Sequence, residues 1–283
     1  MRWMLRMIGR SAKPLSTRTR RASDYVAALM FGAIVFTWWS CPGMPVAYAT
    51  SFNNGGGPAL LKICTTGDYE PLTYRDPATG QYSGIDIDMA LSLANYLGRE
   101  PVFVATSWPA LMTDLTTSGN CDIAMGGISD TPARERLADV TAPYLFSGKV
   151  ALVPAANAAR FQSIDQIDQP GVRVIENPGG TNEHFARQNL PNATITIWPD
   201  NTTIFDQLSA GHADVMITDA IEAVYRANQH PELVAIRPEQ PYTTDRKAYM
   251  LPKGSQLTGQ VNAWLSQALE DGTFNSFYEQ WIQ

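Results

Sequence analysis

Cysteine and histidine are scarce in this chain of 283 residues, with three of each. No C-x-x-C pair and no His/Cys cluster occurs, so nothing in the pattern points to a metal centre. His184, His212 and His230 are scattered, and His184 reads as exposed helix surface. Long apolar runs are also missing. The uncharged and mostly apolar run at residues 25–39 has 15 positions and is short for a membrane span. Basic side chains are few as well. The formal net charge is -6, and seven of the 21 basic residues fall in the first 21 positions.

Those seven (Arg2, Arg6, Arg10, Lys13, Arg18, Arg20 and Arg21) precede the uncharged run, and Ala47-Tyr48-Ala49 follows it. A basic segment, an apolar segment and a small-residue site describe a secretory signal peptide over residues 1–49. A retained N-terminal anchor is the alternative. Without this leader the chain carries 14 basic and 26 acidic residues, a net charge of -12. Such a surface suits neither nucleic acid nor anionic membranes. Any anionic ligand must be held by local groups against the global field. Cys41 leaves with the leader. Cys64 and Cys121 both fall in apolar, strand-like runs, which favours two buried free thiols over a disulfide.

What the chain does have is glycine at telling places. Asn177-Pro178-Gly179-Gly180-Thr181-Asn182-Glu183 lies between an apolar run at 172–175 and a helical pattern through Phe185, Ala186 and Leu190. A strand, a glycine turn and a helix start make an anion site, because free N–H groups and the helix dipole point the same way. Residues 85–97 read as a helix, with apolar Ile87, Ala90, Leu91, Ala94 and Leu97 at 3–4 spacing and Asp86 as N-cap. Strand-like and helical stretches alternate along the chain, which predicts doubly wound α/β sheets. Gly119-Asn120-Cys121-Asp122-Ile123-Ala124-Met125 resembles Gly211-His212-Ala213-Asp214-Val215-Met216-Ile217, which suggests two similar lobes. Extended runs at 149–154 and 247–251 are candidates to cross between them. The expected division is 50–150 plus 247–283 for one lobe and 151–246 for the other.

Ligands of open α/β sheets bind beyond the carboxyl ends of the strands. Four such ends are readable: Thr65 to Tyr69, Gly126-Gly127-Ile128-Ser129 with Arg134 just beyond, residues 177–183, and Thr218-Asp219. Arg134 suits a carboxylate with two parallel hydrogen bonds, and Ser129 and Thr181 add hydroxyl donors. Tyr69 and Trp108 are placed to sandwich a flat group. Asp219 suits an ammonium group, and Lys149 adds positive charge where the chain crosses.

Gly84-Ile85-Asp86-Ile87-Asp88-Met89 followed by Leu93-Ala94 resembles the signature of polar amino-acid solute-binding proteins of bacterial transport. The resemblance covers residues 60–283. It implies a periplasmic, two-lobed fold hinged by two crossover strands. It also implies that Tyr69 and Trp108 stack on the ligand, that Ser129, Arg134 and Thr181 hold its carboxylate, and that Asp219 holds its amino group. Thr65-Thr66-Gly67-Asp68-Tyr69, Thr106-Ser107-Trp108-Pro109, the run 177–183 and Thr218-Asp219-Ala220-Ile221-Glu222-Ala223 are similar to the periplasmic cyclohexadienyl dehydratases. That family converts prephenate to phenylpyruvate and L-arogenate to L-phenylalanine, losing water and carbon dioxide. The resemblance implies a lyase with a small-molecule substrate and no redox or electron-sink cofactor. Glu183 is then the expected general acid, Gly127 part of the binding surface, and Asn182 an orienting group. A transport receptor using the same anchors without chemistry is the alternative.

Overall fold

The computed structural model describes residues 58–282. The expected leader and Cys41 lie outside the described residues. Within them, no helix is long and apolar enough to cross a membrane.

The chain begins with β1 (Leu60–Thr65) and a small hairpin sheet of β2 (Asp68–Tyr69), β3 (Thr73–Arg75) and β4 (Tyr82–Ser83). Helix α1 (Ile85–Leu97) follows, then β5 (Glu100–Ala105), α2 (Leu111–Thr116), β6 (Ile123–Ala124), α3 (Pro132–Leu137), β7 (Ala138–Val140) and β8 (Leu145–Phe146). Next come β9 (Lys149–Pro154), α4 (Ile164–Ile167), β10 (Arg173–Glu176), α5 (Thr181–Asn189), β11 (Thr194–Ile197), α6 (Ile204–Ser209), β12 (Met216–Asp219), α7 (Ala220–Gln229) and β13 (Leu233–Ile236). The chain ends with β14 (Arg246–Lys247), β15 (Met250–Pro252), α8 (Thr258–Glu270) and α9 (Thr273–Ile282).

Two lobes emerge from the strand order. The first sheet runs β5-β1-β6-β15-β7, with β1 parallel to β5 and β6, and β15 antiparallel to β6 and β7. In the second, β10 pairs β11 in parallel, a parallel bridge from Val174 to Val215 joins β10 to the start of β12, and β9 runs antiparallel to β12 and β13. The second order is therefore β11-β10-β12-β9-β13, the same pattern as the first. The sequence repeat marks equivalent strands, β6 and β12. Each sheet is mixed rather than purely parallel, because the strand that returns from a crossing enters antiparallel.

The crossings lie at β8 and β14, which pair with each other as a two-stranded antiparallel ribbon. The extended runs predicted to cross already belong largely to the sheets: β9 lies between β12 and β13 in the second, and β15 between β6 and β7 in the first. Gly148 lets the two crossing segments touch, since a Cβ there would fall 1.7 Å from the Thr243 carbonyl oxygen.

Apolar periodicity places the first core between α1, α8, α9 and the first sheet. Leu61, Ile63, Met89, Leu93, Tyr249, Trp264 and Leu265 fill it. The second lobe packs Val153, Phe161, Val174, Leu190 and Ile217 on one face of its sheet, and Leu152, Ile204, Phe205 and Met216 on the other. The predicted helix at 85–97 matches α1, but its start differs. Gly84 occupies the cap and Asp86 is fully buried within the first turn. There Asp86 accepts hydrogen bonds from Gly127 N (2.6 Å), Tyr144 Oη (2.5 Å) and Tyr249 Oη (2.8 Å). Burial pushes its carboxyl up to about 6, although the three donors pull the other way.

Cys64 and Cys121 form a disulfide, with Cα atoms 5.6 Å apart. This corrects the expectation of two free thiols. The residues are close because β1 and β6 are neighbours in the sheet, which strand composition alone does not reveal. Replacing both by serine is expected to cost about 4 kcal/mol on chain-entropy arithmetic for a separation of 57 residues. Urea unfolding of the oxidised protein against the double variant measures this, and a loss below about 1 kcal/mol would contradict it.

Candidate active site

The four strand ends converge on one cleft between the sheets. The first lobe contributes Tyr69 from β2, Trp108, and Gly127, Ser129 and Arg134 after β6. The second contributes Asn177, Gly180, Thr181 and Asn182 around the start of α5, Asn201, and Asp219 and Glu222 at the start of α7. Lys247, on the returning crossover strand, completes the lining. Gly127 can line the wall only as glycine. Its φ is +65°, and a Cβ there would lie 2.2 Å from the Tyr69 ring.

Asp219 is the electrostatic centre. Its Oδ1 accepts from Lys149 Nζ at 2.9 Å, and its Oδ2 accepts from Lys247 Nζ and Tyr69 Oη, each at 2.5 Å. Burial alone would raise this carboxyl, but the two ammonium groups hold it well below the usual carboxylate range. Burial pulls Lys247 downward and Asp219 opposes that pull. Sequence reasoning expected Asp219 to present its charge to a ligand amino group. The structure instead shows that charge already met by two lysines.

Lys149 stands behind the lining with only 2 % of its surface exposed. Besides Asp219 it donates to Thr181 Oγ1 (2.8 Å) and Asn182 Oδ1 (2.5 Å). Asn182 Nδ2 donates in turn to Thr218 Oγ1 (3.2 Å), and Thr218 Oγ1 to Glu222 Oε2 (2.5 Å). Lys247 Nζ also donates to Ser129 Oγ at 2.9 Å. Arg134, largely enclosed, donates from Nη1 to the Ser129 carbonyl at 2.8 Å. Burial lowers its guanidinium from the ordinary value, with Asp219 acting against that. The predicted aromatic sandwich is different in kind. Tyr69 and Trp108 meet edge to face, with ring centres 5.8 Å apart and planes at 78°. They form a corner of the cleft rather than two parallel plates.

Glu183 is not where the acid was expected. Its side chain leaves the cleft lining, accepts from Gly179 N at 2.7 Å and pairs with Arg187 Nε at 2.8 Å. The Gly179 N–H first, then Arg187, hold its carboxyl below the ordinary glutamate range. A general acid working near neutrality needs the opposite. Glu222 has what Glu183 lacks. It lines the cleft and is fully buried, and its Oε1 has no hydrogen-bond partner. Burial pushes its carboxyl up to about 8, with Asp219 and Asp68 adding repulsion and Arg226 and Thr218 working against the rise. Its signal in the sequence was the spacing Asp219 to Glu222, which puts two carboxyls on one helix face. Lys247 and Asn201 were also missed, since neither sits in a glycine-marked turn.

This chain belongs to the bacterial extracellular solute-binding proteins, family 3, whose family model matches residues 61–283. Within that class it is similar to the cyclohexadienyl dehydratase of Pseudomonas aeruginosa, at 48% identity over 224 residues, covering 79% of this chain and 83% of the relative. An L-cystine-binding protein of Escherichia coli is 26% identical over 223 residues, covering 78% of this chain and 82% of its own. Among solved structures, an ancestral amino acid-binding protein described as a precursor of cyclohexadienyl dehydratase superposes with a TM-score of 0.73 at 34% identity. That match covers 80% of this chain and 96% of the ancestral one.

Proposed function

We propose that this chain is a cyclohexadienyl dehydratase that uses Glu222 as its general acid. The observation that carries the reading is a fully buried carboxyl with an unpartnered oxygen, which burial pushes toward its neutral form, in a cleft that Arg134 and Lys247 also line. A receptor gains nothing from such a group, and the 48% identity to a dehydratase supports the same choice.

The substrate class is a cyclohexadienyl dicarboxylate, prephenate or L-arogenate. Arg134 and Ser129 anchor one carboxylate from the first lobe. Thr181, Asn182 and the charge of Lys149 face the other from the second, while Tyr69, Trp108 and Gly127 shape the wall around the ring. The carboxylate on the ring leaves as carbon dioxide. The electron pair of that C–C bond moves into the ring, and the opposite C–O bond breaks. The departing hydroxyl takes the Glu222 proton and leaves as water, and solvent reprotonates Glu222 after the cleft opens. Aromaticity of the product drives the step. The residues supply positioning, exclusion of water and one proton. Asp219 holds Tyr69, Lys149 and Lys247 in place.

The cleft closes between the two lobes, pivoting at the β8–β14 ribbon. A disulfide in the first lobe fits an oxidising compartment, and with residues 1–49 removed as a signal peptide the working location is the periplasm. The test is to incubate the mature protein with prephenate at pH 7 and follow phenylpyruvate by its absorbance in alkali. Turnover that Glu222→Gln abolishes supports the reading. No turnover, together with thermal stabilisation by an amino acid, would make the chain a transport receptor.

A further inference from the structure

Three consecutive residues of the first lobe reach across the cleft. The Asp68 carbonyl accepts from Asn201 Nδ2 at 2.8 Å, Tyr69 meets Asp219, and Glu70 Oε2 pairs with Arg226 Nη1 at 2.7 Å. The first two belong to the cleft itself. The third does not, and the chemistry above makes no use of it.

Arg226 sits on α7 one turn beyond Glu222 and is 6 % exposed. Its guanidinium lies 4.3 Å from the centre of the Phe205 ring, and its Nε has no partner. A cation this enclosed needs a counter-charge. Glu70 provides it, but Glu70 belongs to the other lobe. When the lobes part, the ion pair parts with them. The carboxyl left on the same helix, one turn away, is Glu222. We propose that the Glu70–Arg226 pair is a cross-lobe latch that takes up the Arg226 charge on closure, so that Glu222 holds its proton only when the cleft is shut. Glu70 and Arg226 are then positioning residues that arm the acid through closure and never touch the substrate.

This rests on Glu222 being the acid. The other charged groups facing Glu222 are Asp219 at the start of its own helix, with Lys149 and Lys247 attached, Asp68 from the first lobe and Glu176 from β10. None of them is altered by changing the latch. Two substitutions break the latch in electrostatically opposite ways. Glu70→Gln leaves Arg226 charged and unpaired beside Glu222, whereas Arg226→Met removes the charge altogether.

The pH dependence of kcat on prephenate reads the acid in the substrate-bound state. Both variants are expected to lower the plateau. In Glu70→Gln the basic limb should move down by about one pH unit, and in Arg226→Met it should stay at or above that of the parent. A limb that is unmoved in both, or displaced the same way in both, would overturn the proposal and leave the pair a simple clasp. Carbon-13 NMR titration of the Glu222 carboxyl, assigned against Glu222→Gln and recorded with phenylpyruvate present, reads the same protonation without turnover. Parent protein that fails to turn over prephenate sinks the dehydratase reading. A Glu222 titration unchanged between parent and Glu70→Gln sinks the latch.

Discussion

Glu222→Gln is expected to lower kcat by about 10²–10⁴-fold while leaving KM within a few-fold of the parent. The amide keeps the shape and the contact with Thr218 but has no acidic proton to give. The matching substitution Glu183→Gln is expected to stay within about ten-fold, because that side chain binds Gly179 and Arg187 outside the cleft lining. Reversal of that order would restore Glu183 as the acid. The parent should be active below about pH 8, where Glu222 is protonated, and lose activity above it. The same group sets a stability trend. An unfolded glutamate ionises near 4.5, whereas the folded one keeps its proton to about 8. Between those values unfolding releases a proton, so the contribution of this group falls as the pH rises. Glu222→Gln should remove that fall. Urea midpoints of parent and variant at pH 5 and pH 8 should diverge at the higher pH, with the variant the more resistant. Equal midpoints at both values would mean that Glu222 is ionised at neutrality.

Asp219→Asn is expected to destabilise the protein by about 3–5 kcal/mol at pH 7. Lys149 and Lys247 are exposed by only 2 % and 1 %, and both lose the carboxylate they contact, which leaves Lys149 only the longer 3.9 Å approach of Asp245. An amide oxygen can accept one of their hydrogen bonds but cannot neutralise either. Urea unfolding measures the loss, and a change under about 1 kcal/mol would show that the lysines are held by other groups. The pH trend here has the opposite sign from that of Glu222. The folded Asp219 carboxyl lies below its unfolded value, so its contribution is complete above the ordinary carboxylate range and is lost only as the pH falls into strong acid. The parent should therefore lose stability in acid more steeply than Asp219→Asn.

Much of the architecture was legible because it is written in periodicity and glycine. The spacing of apolar residues over 85–97 defines α1 to the residue, and a seven-residue similarity marks β6 and β12 as equivalent strands. The four strand ends do converge, because strand-to-helix turns in each lobe all open on the same edge. What stayed hidden depends on angles and partners. Asn182 and Glu183 are consecutive in a helical first turn, so their side chains diverge by roughly 100°. Asn182 is buried toward Lys149, and Glu183 is left facing Arg187. No local rule says which of the two points inward. The disulfide and the second lysine needed topology: Cys64 meets Cys121, and Lys247 meets Asp219, only once strands distant in sequence become neighbours.

The β8–β14 ribbon has a consequence for how a substrate arrives. When one body swings relative to another, points near the axis hardly move, and displacement grows with distance from it. Lys149 opens the strand just beyond β8, and Lys247 lies within β14 itself. Both ammonium groups therefore ride close to the pivot and keep their place as the mouth widens. The expected mature surface repels anions at long range, at a net charge of -12. Near the pivot that repulsion gives way to a fixed attractive patch that the swing does not disperse. An anion wandering into the open protein is drawn to the innermost point first, and the outer jaws have only to fold over it.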